Sequence, residues 1–272
     1  MIADLHIHST ASDGRLAPQE IISQAEQAGL SYIAITDHDT VNAYLELRAA
    51  GLDSAASKMT LIPGIEFSTD LPKHEVHILG YFIDIDNRKL RDQLEVIAND
   101  RLRRSKLMVE KLNKLGYAIE YSRVLAIAGP AKSVGRPHVA KALLEKKYFA
   151  TIGEVFEQVL SKNGPAYVPH YKLAPEQVIK IITQAGGAAI LAHPGLIGDD
   201  RLVLELITAG IQGLEVYHPE HDQGMTNKYL TIAQKYNLKI TGGSDFHAIP
   251  GRYPEKLGIF TISAKMAESL SK

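Results

Sequence analysis

The 272-residue chain contains no cysteine and no tryptophan, few aromatic residues and almost no net charge. Without cysteine there can be no disulfide, thiolate nucleophile, iron–sulfur cluster or thiolate zinc site, so any metal must be held by nitrogen and oxygen. Thirty Lys and Arg against 31 Asp and Glu leave a formal charge of -1. That balance gives no global pull toward nucleic acid or an anionic membrane, though it leaves room for a local basic groove. No apolar run approaches the ~18 residues a membrane-spanning helix needs. The opening Met1-Ile-Ala-Asp-Leu-His-Ile-His8 lacks the basic start and apolar core of a signal peptide. A soluble, cytoplasmic protein with no membrane association and no obligate protein partner is expected. The 22% charged content is ordinary and argues against disorder. The length allows one barrel domain or one domain with an insertion.

Short apolar runs alternate with helical patterns. Strands are expected over Ile2 to His8, Tyr32 to Thr36, Thr60 to Ile65, Glu75 to Ile83, Ala188 to Leu191, Leu214 to Tyr217 and Lys239 to Gly242. Helices are expected over Pro18 to Gly29, Pro175 to Ala185, Asp200 to Ala209 and Gly224 to Tyr236. This rhythm argues for βα units and a mainly parallel, barrel-like sheet. The middle breaks it. Residues 88–115 read as a long charged helix, with further helices over Pro137 to Lys147 and Thr151 to Leu160, and no strand before about Tyr167. A helical insertion at 91–167 within a barrel built from 1–90 and 168–272 accounts for this, because a structureless loop of that length is improbable.

The histidines and acids are placed informatively. His6 and His8 are two apart on a strand and so share one face. They lie at the strand's C-terminal end, where parallel α/β folds carry their active sites. Asp37-His38-Asp39, Glu66, His193, and Asp245 with His247 each follow an apolar run, and Asp13 lies in the loop after His8. His77 falls within a strand. Each has an ordinary reading alone: a hydrogen-bonded strand-end His, an Asp turn, a Glu helix cap. Together they bring His or a carboxylate to one rim from six strand ends, which points to a multinuclear metal site.

The segments Asp4-Leu-His-Ile-His-Ser9, Ser12-Asp13-Gly14, Ile35-Thr-Asp-His-Asp39, Pro63-Gly-Ile-Glu-Phe67, His77-Ile-Leu-Gly80, Ala192-His-Pro194 and Gly243-Ser-Asp-Phe-His247 span nearly the whole chain outside the insertion. In them the sequence resembles the PHP (polymerase and histidinol phosphatase) superfamily. The resemblance implies an α/β fold, a distorted (β/α)7 barrel with a trinuclear metal site. It implies that His6, His8, Glu66 and Asp245 hold one metal. Glu66 would bridge to a second, completed by His77 and His193, while Asp13, His38 and His247 hold a third. Asp13, His38, Glu66, His193, Asp245 and His247 would act catalytically through a metal-bound hydroxide. Many family members have His in place of Asp13. The subgroup with Asp resembles nucleotide phosphatases that favour manganese, so three divalent ions are expected, manganese ahead of iron, zinc or magnesium.

Elementary chemistry agrees. Six imidazoles and three carboxylates around three divalent ions leave about three positive charges by formal count, which suits phosphate and the charge that builds on it in phosphoryl transfer. Paired metals ~3.5–4 Å apart lower a bound water's pKa toward ~7, so no protein nucleophile is required. No Gly-x-Ser-x-Gly elbow or Walker loop is present.

Gly135-Arg136-Pro137-His138 opens a helix, and helix N-termini attract phosphate. An ordinary helix start with a solvated Arg is the competing reading. The subgroup's similar Arg-Pro-His implies that Arg136 and His138 bind substrate, and Asn163-Gly-Pro-Ala-Tyr-Val-Pro169 resembles its segment closing the insertion. His218 follows another strand and either contacts phosphate or caps a loop. His74, His170 and His221 fit no ligand position and read as surface residues. The run Arg101, Arg103, Arg104, Lys106 reads as a solvated face, with contact to an RNA backbone or second phosphate as the alternative.

The expected activity is removal of the 3′-phosphate from nucleoside 3′,5′-bisphosphates, with 5′-to-3′ trimming of short single-stranded oligoribonucleotides as a close variant. Histidinol phosphate is an alternative substrate, opposed by Asp13 and the Arg-Pro-His insertion. A non-catalytic phosphate-binding module is the alternative of another class, opposed by nine competent ligand positions.

Overall fold

The computed structural model describes residues 1–52, 59–71, 73–129, 133–162, 164–169, 171 and 173–271. His170 and Asn163 lie outside them. The barrel strands are β1 (Ile2–Ile7), β2 (Leu30–Ile35), β3 (Thr60–Asp70), β4 (Glu75–Tyr81), β5 (Ala188–Leu191), β6 (Gly213–Tyr217) and β7 (Lys239–Gly242). They form one sheet in the order β7-β6-β5-β4-β3-β2-β1, and a two-residue strand β8 (Ile262–Ser263) joins β1 at the edge. Just past β7, an isolated bridge pairs Phe246 with Ile7, so the two ends of the sheet meet there and nearly close a barrel. Gly243 sits at this seam. A Cβ there would lie 2.3 Å from the Cβ and backbone nitrogen of His6, so only glycine lets the two segments approach.

The sheet is not wholly parallel. β4 runs antiparallel to both β3 and β5. The connection from β3 to β4 is too short for a helical crossover and can only be a hairpin. That reversal has a consequence for the site. The other strands deliver donors near or beyond their C-terminal ends, but β4 delivers His77 near its start, at the same rim.

The barrel helices α1 (Pro18–Gln27), α7 (Pro175–Gln184), α8 (Asp200–Thr208) and α9 (Gln223–Lys235) fall where the sequence pattern places them. Both α1 and α7 open on proline, whose missing N–H costs nothing in the first turn. The short helices α2 (Asn42–Ala49), α4 (Tyr121–Ala128) and α10 (Ala264–Leu270) have too little periodicity to be read in advance.

The middle of the chain contains α3 (Arg88–Lys114), α4, α5 (Arg136–Glu145) and α6 (Ile152–Val155), the last continuing as a π-helical turn through Leu160. α3 serves two cores. Leu90, Leu94 and Ile97 pack into the barrel's core cluster, while Met108, Val109 and Leu112 pack with Val124, Val139, Leu143, Val155 and Leu160 in a separate one. One 27-residue helix therefore joins the barrel to the helical layer above its rim.

Candidate metal centre

The rim gathers donors from every strand of the barrel except β6 and β8. His6 Nε2 and His8 Nε2 face each other at 3.1 Å. Glu66 Oε2 lies 3.4 Å from the first and 3.2 Å from the second, and Asp245 Oδ1 lies 3.5 and 3.2 Å away. On the other side of the carboxylate, Glu66 Oε1 is 2.9 Å from His77 Nδ1 and 3.1 Å from His193 Nε2. Asp13 Oδ1 is 3.4 Å from His247 Nε2 and 3.8 Å from His8 Nδ1. His38 Nδ1 is 3.0 Å from Glu66 Oε2.

Three groups of donors stand close enough to share an ion: His6, His8 and Glu66; His38, Glu66 and His77; and His8, Asp13, His38 and His247. All nine ligand positions expected from the sequence thus meet at one rim, with Glu66 at the centre. His38 stands between the second and third groups, where the resemblance implies the third alone.

The donor set fits divalent cations. Glu66 Oε2 has three imidazole nitrogens within 3.4 Å, yet it makes no hydrogen bond among the described residues. His8 Nδ1 and His38 Nδ1 are likewise buried and unpartnered. Such atoms converge on shared space rather than on one another, as ligands of one ion do. Ligand atoms bound at about 2.0–2.1 Å sit at comparable mutual distances.

Burial opposes charge on Glu66, His8, His38 and His193, and mutual attraction outweighs it for the first two. It would raise the Glu66 carboxyl, yet His38, His77 and His6 hold it well below the usual carboxylate range. Burial would lower His8, but hydrogen bonds and attraction from Asp245 and Glu66 push it up to about 10. Burial keeps His38 and His193 below the ordinary histidine value, hence neutral and able to coordinate.

A second layer orients these ligands, and the sequence pattern did not single it out. Glu215, fully buried in β6, accepts a hydrogen bond from His6 Nδ1 at 2.9 Å through one oxygen. Its other oxygen accepts from the His193 backbone N–H at 2.8 Å. Fixing Nδ1–H in this way leaves the Nε2 lone pair of His6 for a metal. Asp37 accepts from Ser9 N–H and from the Ser9 and Ser12 hydroxyls, tying down the loop that carries Asp13. Asp4 does the same between His6 N–H and Ser244 N–H. The only sequence signal for Glu215 is an acid inside an apolar strand. His193 and Asp245 take φ angles of 28° and 50°, conformations that cost non-glycine residues about 1–3 kcal/mol and cluster at functional sites.

The expected substrate contacts are placed unevenly. Arg136 lines the cleft beside the metal donors, and its guanidinium pairs with Glu75 at 2.9 Å and lies over the Phe156 ring. His138 is buried and turned to its own helix start, where Nδ1 accepts from Gly135 N–H at 3.0 Å. His218 lies behind Asp245, with Nε2 3.8 Å from Oδ2 and its side chain 1% exposed.

Two sequence expectations are corrected. His221 is no surface residue: it is buried, with Nδ1 against Val216 O and Nε2 accepting from Gly195 N–H, so it braces the turn after His193. The basic run is not one solvated face. Arg101 and Arg104 are buried and line the cleft, because residues three apart share a helix face, while Arg103 points outward to Asp100. His74 is part-exposed beside Asp199, with no role in the cleft.

A barrel rim of imidazoles and carboxylates facing a cleft walled by arginines defines a metal-dependent hydrolase of phosphate esters. Residues 4–209 match the model of the PHP domain, and the chain belongs to that family. It is 34% identical over 252 residues to the 5′-3′ exoribonuclease Rnm of Salmonella typhimurium, covering 91% of this chain and 85% of the relative. It is 33% identical over 262 residues to the 3′,5′-nucleoside bisphosphate phosphatase of Chromobacterium violaceum, covering 94% and 90%. A solved Chromobacterium violaceum amidohydrolase with bound sulfate and no metal superposes with a TM-score of 0.84 at 32% identity, over 96% of this chain and 91% of that one.

Proposed function

We propose that this chain removes the 3′-phosphate of nucleoside 3′,5′-bisphosphates to leave 5′-nucleotides, and that it also releases mononucleotides from the 5′ end of short oligoribonucleotides. The observation that carries this is the two-walled cleft. Metal donors occupy one wall, while Arg101, Arg104 and Arg136 from the helical layer line the other, across about 280 Å³. Metal donors alone would suffice for one phosphate, and arginines opposite them fit a substrate with a second anionic group. The names of the two relatives support the same reading.

Three divalent ions, manganese foremost, fit the nine donors; when bound they supply an activated water and Lewis acidity at phosphorus. The remaining work falls to the chain's own groups. Asp13, His38, Glu66, His193, Asp245 and His247 fix where the phosphate oxygens sit, and Arg136 attracts the substrate. Water adds across the bond, so the P–O3′ bond breaks and a proton ends on the 3′-oxygen. Residues 91–167 are assigned to substrate recognition and the flanks to chemistry.

The test is turnover by manganese-loaded protein on adenosine 3′,5′-bisphosphate, histidinol phosphate and a 5′-phosphorylated short RNA in parallel. Turnover of the bisphosphate and RNA above histidinol phosphate is expected. Preference for histidinol phosphate would overturn the substrate. Fewer than two ions per chain by elemental analysis, with no turnover, would favour a non-catalytic module.

A further inference from the structure

Asp245 turns one oxygen toward the metal donors and the other away. Its Oδ1 lies 3.5 Å from His6 Nε2 and 3.2 Å from His8 Nε2. Its Oδ2 accepts a hydrogen bond from Arg252 Nη2 at 2.5 Å. His218 Nε2 faces the same oxygen at 3.8 Å, beyond hydrogen-bond reach. Arg252 is thus the group that ties this oxygen down.

The sequence builds that contact locally. Ile249-Pro250-Gly251-Arg252 is a turn closed by the Arg252 N–H on the Ile249 carbonyl at 3.1 Å. Proline stands second and glycine third, and Gly251 takes a φ of 78°, the residues and the angle of a type II turn. The turn sends the chain back, so that Arg252 reaches over Asp245. The Arg252 side chain lines the cleft and is 41% exposed, with Nη1 3.3 Å from His247 Nδ1. One guanidinium therefore rests against two candidate ligands while being no ligand itself.

Carboxylate chemistry says what the contact does. A free carboxylate binds an ion through one oxygen or through both. With Oδ2 held by Arg252, Asp245 has Oδ1 alone to offer, beside the imidazole nitrogens of His6 and His8 and Oε2 of Glu66. Four single-atom donors complete a tetrahedral ion such as zinc, but leave positions open on an ion that takes six, as manganese does. Those open positions are where water and a phosphate oxygen bind.

We propose that Arg252 is a positioning residue that confines Asp245 to one-oxygen ligation, and so limits the donor count of the pocket around His6 and His8 and sets its choice of ion. The inference rests on the metal-centre reading above and is independent of the substrate.

The experiment measures zinc against manganese binding by competition calorimetry on metal-stripped wild type, Arg252→Met and Arg252→Lys. Methionine keeps the apolar stem without charge or donor, while lysine keeps the charge and a donor. Removing a positive charge strengthens both divalent ions alike, so that effect cancels in their ratio. A freed Oδ2 adds a donor and favours the six-coordinate ion.

The zinc-to-manganese affinity ratio should therefore fall about 10-fold in Arg252→Met and stay close to wild type in Arg252→Lys. An unchanged ratio in Arg252→Met, with both affinities moved together, would make Arg252 merely a charge on the cleft and overturn the proposal. A fall in Arg252→Lys as large as in Arg252→Met would overturn it too. If wild type takes up neither ion, the metal-centre reading fails and the inference falls with it. If wild type binds both and the ratio does not move, the inference alone falls.

Discussion

At the scale of single residues, Glu215 links two of the candidate ligands through one carboxylate, the His6 ring and the His193 backbone. Glu215→Gln keeps the shape but loses the charge that favours the correct His6 tautomer. Metal affinity is expected to fall about 10- to 100-fold, read by titration calorimetry, and unchanged affinity would contradict the role. Titration gives a second prediction. His8 in the metal-free protein stays protonated up to about pH 10, because Asp245 and Glu66 outweigh its burial. Metal uptake near neutrality must displace that proton, so affinity rises with pH. The heat of loading should vary with the ionisation enthalpy of the buffer, and a buffer-independent heat would count against it. The nine candidate donors could be picked out because most stand at or just past the end of an apolar run, while His77 lies inside its strand. The supporting roles of Glu215, Asp4 and Asp37 were not legible, although Asp37 itself stood beside His38, because each acts from beneath the ligands. Arg101 and Arg104 were misread because four basic residues were taken as one patch, although helical spacing separates them.

At the scale of elements, the seam beside β1 depends on Gly243. Gly243→Ala drives a methyl into the His6 backbone and should cost about 1–3 kcal/mol or more, with metal affinity lost alongside. Thermal unfolding checks this, and an unchanged Tm would show that the seam is looser than it appears. The start of α5 depends on His138, whose burial lowers its pKa to about 4. The folded state then binds fewer protons than the unfolded state between about pH 4 and 6.5. This neutral cap's contribution is present above that window and lost as pH falls through it, by about 3 kcal/mol at most. His138→Gln should flatten the fall in stability from pH 6.5 to 4, and an equal slope in wild type and variant would refute the cap. The alternation of strand and helix was plain in the sequence. The reversal of β4 was not, since alternating hydrophobicity carries no strand direction and a short hairpin looks like any loop. The two-residue β8 is below any periodicity.

At the scale of the whole molecule, a barrel carries the metal donors and a helical layer carries arginines, with α3 rooted in both cores. The overlap of cores in one helix explains how guanidinium groups can be held at a fixed distance from the rim. Among the described residues no helix is long and apolar enough to cross a membrane. The family and the barrel were legible from motif order, while the second wall of the cleft emerged only when Arg101 and Arg104 were placed. The central claim is that this two-walled site cleaves the ester at the 3′-oxygen and spares the one at the 5′-oxygen. Phosphorus NMR of adenosine 3′,5′-bisphosphate digested by manganese-loaded protein tests that claim most directly. Equal amounts of inorganic phosphate and 5′-AMP, abolished by chelation and restored by manganese, are predicted. Accumulation of 3′-AMP, or an intact bisphosphate with metals bound, would contradict it.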